Sequence, residues 1–355
     1  MKIIKFITAA LLSLGICSAA NAEFRLIVPQ GPGQGTAVWA GIIAKHLEKQ
    51  LGETVVIQHI PGAKDIQGFN EWHNKLRFDN KTIMVSHGGN GVSYLVDKVE
   101  YDYKNYDSIG MQNLNIMVGI KKDTDPNITK LKFANGSGME PDGMAVTMLL
   151  CGNLPSREDY LNCFKQKVIW VNGLSGPERR LGFQRGELNT TRETTVAWNK
   201  YYAEDKNNML WFHHGVYDLK TRQVKDDPNF EPGYTFETQF KKLHGVAPKG
   251  EFYEAYRLSR EFRDVLQKAL WVNKGNPNTK RLRDALTRMV NDPEAAAALE
   301  NDTGKYEWII GDAGNKVVDS LRKDVTEKKL QTLVYWHDNA YGFKSEFKPQ
   351  LIIRK

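Results

Sequence analysis

From Phe24 onward, strand-like and helix-like segments take turns at short, regular spacing. "FRLIVP" (24–29) reads as a strand, "AVWAGIIAKHLEKQLG" (37–52) as an amphipathic helix and "TVVIQHI" (54–60) as a strand; "DIQGFNEWHNKLRF" (65–78) is again helical and "TIMVSH" (82–87) again a strand. This alternation predicts an α/β fold, with parallel strands joined by crossover helices. In the first helix Ala37, Gly41, Ala44 and Leu47 share a stripe, Lys45, Glu48 and Lys49 take the other side, and Gly52 ends it, so the helix should pack on a sheet. Further strands are expected in "IMVGIKK" and "VIWVNG". A short helix is expected in "RRLGFQRGELNTT", and "GEFYEAYRLSREFRDVLQ" (250–267) reads as a longer one, followed by a strand, a Gly-Asn-Pro turn and two more helices. Residues 205–232, rich in Asn, Asp, Lys and Pro, read as long loops.

At 355 residues the chain is long for a single core, so two lobes are expected, the second starting near Lys121. Before the alternation begins, Lys2 and Lys5 precede an apolar stretch from about Phe6 to Ile16 that ends in Ala20-Asn21-Ala22. This is the pattern of a cleaved export signal, 1–22, and places the protein in the periplasm. Ile16 is too large for lipoprotein processing at Cys17, the rival reading. No later segment is apolar enough to span a membrane. With the leader removed, Cys151 and Cys163 remain; an oxidising compartment allows them to pair, and two buried free thiols is the alternative. The formal charge of +7 includes Lys2 and Lys5, and the remaining basic residues are interleaved with acids along the chain. Nucleic acid is therefore not an expected partner, although a mild attraction for anions is.

Ligands of parallel α/β sheets sit where strands end and helices begin, because helix N-termini offer unpaired N–H groups and partial positive charge. Three such junctions are rich in glycine: "PQGPGQGT" (29–36), "PGAKDIQG" (61–68) and "SHGGNGVS" (86–93). Bare backbone there would let an anion approach closely. The first loop is not a dinucleotide fingerprint, since Thr36 stands at its sixth position and the second strand ends in Gln58-His59 rather than an acid; nor does it have the Gly-Lys-Ser/Thr ending of a Walker loop. There is no G-x-S-x-G elbow, and neighbouring Ser86 and His87 on a strand point to opposite faces. The eight histidines show no metal-ligand spacing, so neither a metal nor a cofactor is expected. An exported enzyme with His87 or Glu193 as base is the competing class, but no paired nucleophile accompanies them.

The stretch "RLIVPQGPGQGTAVWAGIIAKHLEKQLGETVVIQHIPGA" closely resembles the opening of the tripartite tricarboxylate transporter substrate-binding proteins (the TctC or Bug family). The likeness continues through "TIMVSHGGNGVSYLV" and "YDYKNYDSIGMQNLNIMVGIKKDTD", and thins between about Lys200 and Gln267. The resemblance implies a periplasmic-binding-protein type II-like (Venus flytrap) fold of two α/β lobes joined by a hinge. Lobe 1 would comprise 23–122 and 268–345, lobe 2 would comprise 123–267, and 346–355 would form a tail. It further implies a non-enzymatic, monomeric solute-binding protein that captures a di- or tricarboxylate-like acid and delivers it to the membrane permease of a tripartite tricarboxylate transporter; a sensory or scavenging role is the alternative. Carried over by position, the ligand-binding residues are Gln30, Gly31, Pro32, Gly33, Gln34, Gly35 and Thr36; Ala63 and Lys64; and Ser86, His87, Gly88, Gly89 and Asn90. The second lobe would add Asn135, Gly136, Ser137 and Gly138, then Asn172, Gly173, Leu174 and Ser175, and finally Asn189, Thr190 and Thr191. Two departures bear on the ligand: Ala37 replaces the family's usual Asp, and Lys64-Asp65 its Gly-Gly. A lost acid and a gained lysine favour a more anionic ligand, or one without an amino group, unless Lys64 points to solvent.

Overall fold

The computed structural model describes residues 23–126, 128–135, 141–218, 221 and 223–352. The expected export signal, with Cys17, and the expected site residues Gly136, Ser137 and Gly138 lie outside the described residues.

In chain order the first unit is β1 (Phe24–Val28), α1 (Gly35–Leu51), β2 (Val55–His59), α2 (Ile66–Asn74), β3 (Thr82–His87), α3 (Gly88–Val96) and β4 (Tyr106–Gln112). The second is β5 (Ile116–Lys121), β6 (Leu131–Asn135), α4 (Asp142–Cys151), α5 (Arg157–Lys167), β7 (Val168–Asn172), α6 (Gly176–Gln184), β8 (Thr190–Thr194), α7 (Thr195–Tyr201) and β9 (Asn208–His213). After the hairpin β10 (Val216–Asp218) and β11 (Gln223–Lys225) come α8 (Phe236–His244) and α9 (Glu251–Val265). The chain then re-enters the first sheet with β12 (Lys268–Asn273), and continues through α10 (Thr279–Val290), α11 (Pro293–Thr303), β13 (Trp308–Ile310), α12 (Asp312–Lys323) and α13 (Glu327–Ala340).

Two sheets result, one per lobe: β13-β4-β12-β3-β1-β2 and β7-β6-β8-β5-β9. β1 is parallel to both β2 and β3, as the alternation predicts, but β12 runs antiparallel to β3 and β4. The expected parallel sheet is thus mixed. The cause is the route of the chain: α9 delivers it to the end of the sheet where β3 finishes, and a strand entering there must run backwards relative to β3.

The alternating side chains of the first sheet fill two different cores. Leu26, Val28, Ile83, Val85, Leu270 and Val272 pack with Trp39, Ile43, Leu47, Leu282 and Leu286 of α1 and α10. Ile27, Met84 and Trp271 point the other way, among Phe69, Trp72, Tyr103 and Phe262. Period-two side chains thus hold helices on both faces of one sheet, and each fully buried Leu, Ile or Phe contributes about 1.5–3 kcal/mol.

The lobes are joined by Asn113–Asn115, between β4 and β5, and again by the short link from α9 to β12. Residues 205–232 contain β9 and the β10–β11 hairpin as well as loops. Cys151, at the end of α4, and Cys163, in α5, form a disulfide with a Cα–Cα separation of 6.6 Å. α13, expected with the first lobe, lies against the second: Trp336 packs edge-on to Phe164 and Phe252, and Tyr341 stacks on Trp170. The tail packs against α3, where the Lys348 ammonium donates to the Tyr94 carbonyl (3.1 Å).

Candidate functional site

A cleft of about 400 Å³ opens between the lobes. Its first wall is built from the strand ends the sequence singles out. The φ of Gly33 is +80°, which an L side chain resists, and a Cβ at Gly33 or Gly35 would meet nothing within 4 Å. These two glycines keep the wall open rather than fill a packing gap. α1 begins immediately behind them, and its N-cap Gln34 makes no side-chain cap; instead the Gln30 Oε1 accepts from the Thr36 N–H at 3.2 Å. The N-terminus of a 17-residue helix therefore faces the cleft with its partial positive charge, one of its N–H groups already bonded to Gln30.

Beside it, Lys64 and Asp65 both have left-handed backbone, φ 53° and 59°. Strain of this kind in non-glycine residues costs about 1–3 kcal/mol each and is tolerated only where surrounding bonds over-determine it. Here the Gln30 amide donates to Asp65 Oδ2 (2.9 Å), the Asn90 amide donates to the Asp65 carbonyl (3.0 Å), and His87 Nε2 lies 2.8 Å from Asp65 Oδ2. The Lys64 side chain does not point to solvent: its ammonium binds Asp97 Oδ1 (2.9 Å) and lies over the Phe343 ring.

On the floor, Lys268 opens β12. Its side chain is buried, and its ammonium donates to Thr36 Oγ1 at 3.0 Å. Burial lowers its pKa to about 8 even though Asp302 pulls the other way.

The second wall comes from β7, α6 and β8. Gly173, with φ +87°, leads into Leu174, Ser175 and the start of α6, where the Ser175 N–H donates to Glu178 Oε2 at 2.7 Å. Arg179 and Arg180 follow on that helix. Arg180 holds Glu193 bidentately (3.0 and 3.1 Å), and Arg192 Nε lies 2.9 Å from Asp142 Oδ2. Asp142 is fully buried, and desolvation alone would raise its pKa; Arg192 and Arg263, with a hydrogen bond from His214, reverse this and hold it ionised below the ordinary carboxylate range.

Of the expected residues, Gln30, Gly33, Gln34, Gly35, Thr36, Lys64, His87, Gly89, Gly173, Leu174 and Ser175 line the cleft. The others do different work. Ser86 is buried and accepts from Trp271 Nε1 (2.7 Å), while Asn90 is fully buried and accepts from the His87 N–H. Gly88 is bare because α9 passes too close: a Cβ there would lie 2.3 Å from the Arg263 carbonyl oxygen. Gly31, Pro32 and Ala63 are not among the lining residues, and Asn172 is tied to Trp170 and to the Tyr341 carbonyl. Asn189, Thr190 and Thr191 sit at the wrong end of β8. That strand runs parallel to β6, so its C-terminal residues Arg192, Glu193 and Thr194 reach the cleft, while Asn189 bonds Lys130 and Lys132 at the far end. Sequence reasoning passed over Lys268 as a site residue; the one clue was a lysine opening the otherwise apolar "KALWVN".

No family model matches the chain, and no curated protein does. Solved structures do match its fold. A TctC solute-binding protein from Polaromonas has 15% identity and a TM-score of 0.57, over 87% of this chain and 97% of that one. The periplasmic binding protein BugD has 15% identity and a TM-score of 0.57 over 90% and 98%, and MatC from Rhodopseudomonas palustris, with bound malate, has 14% and 0.53 over 90% and 99%. An R. palustris protein with adipate has 12% identity and a TM-score of 0.58 over 88% and 97%. The chain therefore has the two-lobed α/β fold of periplasmic TctC-type solute-binding proteins along nearly their whole length.

Proposed function

We propose that this protein is an extracytoplasmic solute-binding protein that captures a small organic acid of di- or tricarboxylate type between its lobes and delivers it to a tripartite tricarboxylate-type permease. The observation that carries this reading is the cleft itself: five cationic side chains (Lys64, Arg179, Arg180, Arg192 and Lys268) against two carboxylates (Asp65 and Glu193), beside the N-terminus of α1. Such a lining attracts anions, and closure of the lobes would strengthen each N–H to carboxylate bond by excluding water. The malate and adipate held by proteins of this fold support the same ligand class.

The enzymatic alternative finds less support. Glu193 is engaged by Arg180, and His87 Nδ1 accepts from the Gly89 N–H at the start of α3, so neither is placed as a free base. The test is a thermal-shift screen of the protein without residues 1–22 against malate, adipate, citrate and neutral sugars. A ligand that binds only the folded state raises the melting temperature. Stabilisation by a carboxylate is expected; stabilisation by a sugar alone would overturn the assignment.

A further inference from the structure

We propose that Lys268 is the specificity-determining charge of the cleft, its ammonium taking one carboxylate oxygen of the ligand in concert with Thr36 Oγ1 and the N-terminus of α1. This rests on the carboxylate reading above and adds to it a charged contact, on the floor of the site, that fixes where the anion sits.

Three of the other cleft cations already hold an acid: Lys64 binds Asp97, Arg180 binds Glu193, and Arg192 binds Asp142. Lys268 differs. Only 5% of its surface is exposed, and among the described residues its ammonium hydrogen-bonds to a neutral hydroxyl with no carboxylate within 4 Å. A buried ammonium without a contacting counter-charge is costly, and the depressed pKa of about 8 reflects that cost. Asp302 offsets it only in part, so the compensating anion is expected to come from the ligand.

Placement agrees. Lys268 is paired across the strands with His87, on the same face of the sheet, and its ammonium meets α1 at Thr36, where the open backbone of Gly33 and Gly35 leaves room for a ligand. One carboxylate can then accept from the ammonium and from the first-turn N–H groups that Gln30 leaves open. A charged hydrogen bond of this kind is stronger than the neutral ones around it.

The experiment compares wild type with Lys268→Met, using malate, adipate and citrate as probes in thermal shift and calorimetry. Methionine matches the length of the lysine stem without its charge, so the ligand-free variant should be at least as stable as wild type, while affinity for the acid that binds wild type should fall ten-fold or more. Unchanged affinity in Lys268→Met overturns the inference and leaves the carboxylate reading standing. If no acid binds wild type, that reading fails first, and the inference with it.

Should the variant fail to fold, the wild-type affinity profile decides. The titratable groups facing Lys268 are Asp302 of α11 and, across the cleft floor, His87 with Asp65. Because burial brings the pKa of the Lys268 ammonium to about 8, a loss of affinity between pH 8 and 10 reports the lysine. A flat profile over that range would overturn the proposal.

Discussion

Asn115, in the three-residue crossing between the lobes, donates its side-chain amide to Asp227 Oδ2 at 2.7 Å. The same oxygen accepts from Thr195 in the second lobe (2.8 Å) and from Tyr306 (2.5 Å), which lies just before β13 of the first sheet. Asn113, two residues earlier, donates to the Tyr217 carbonyl (2.6 Å). The segment after β9, where the family resemblance is thinnest, is thus what pins the hinge. Asp227→Ala would leave three donors at that oxygen without their partner, Asn115, Thr195 and Tyr306, at a cost of about 3 kcal/mol or more. Urea denaturation should show this loss; a midpoint within error of wild type would mean that the cluster does not hold the lobes.

Glycines that look alike in the sequence should separate by experiment. Gly33→Val places a side chain in the open cleft and forces φ +80° on a β-branched residue, with a stability cost of about 1–2 kcal/mol. It should abolish binding of the acid that shifts wild type while the protein stays folded. Gly88→Ala should do the reverse: its Cβ would strike the Arg263 carbonyl, so the melting temperature should fall sharply. Equal effects of the two on stability would contradict the division between open wall and helix contact.

The same contrast shows which features were legible in the sequence. Strand and helix alternation gave the order of elements through β3 and of many later ones, because a short apolar strand run and a periodic helix are each legible over their own length. The first loop was legible because glycines at 31, 33 and 35 lead into a helix. Position along β8 was not: "NTTRET" carries no mark of which end faces the cleft, which depends on pairing with β6, more than 50 residues away. Gly88 and Gly91 were equally opaque, since the helix they accommodate, α9, lies about 170 residues on. Lys268 was hidden for a related reason: the strand it opens enters the sheet from the cleft side only because the chain has passed through the second lobe.

The Cys151–Cys163 bridge closes a loop with a sequence separation of 12 between α4 and α5. Loop-closure entropy for such a span gives about 2–3 kcal/mol of stabilisation. Reduction, or Cys151→Ser with Cys163→Ser, should lower the melting temperature by roughly 3–4 °C. Because the bridge lies away from the cleft lining, carboxylate affinity at 25 °C should not change. A scan with and without reductant, followed by calorimetry, checks both halves.

Stability should also depend on pH through His337. Burial in α13, with the Lys64 charge adding to it, lowers its pKa to about 3, and its Nδ1 has no hydrogen-bond partner among the described residues. The folded value lies below the ordinary value of about 6.5, so the unfolded chain takes up a proton that the folded protein refuses. The contribution is therefore complete above pH 6.5 and is lost as pH falls toward 3, at about 1.4 kcal/mol per unit. His214, held down to about 3 by burial and Arg263, acts in the same direction. His337→Gln removes its own proton from this difference. Urea midpoints at pH 7, 6, 5 and 4 should fall less steeply for the variant than for wild type, whatever its stability at pH 7; parallel slopes would mean that His337 is protonated in the folded protein.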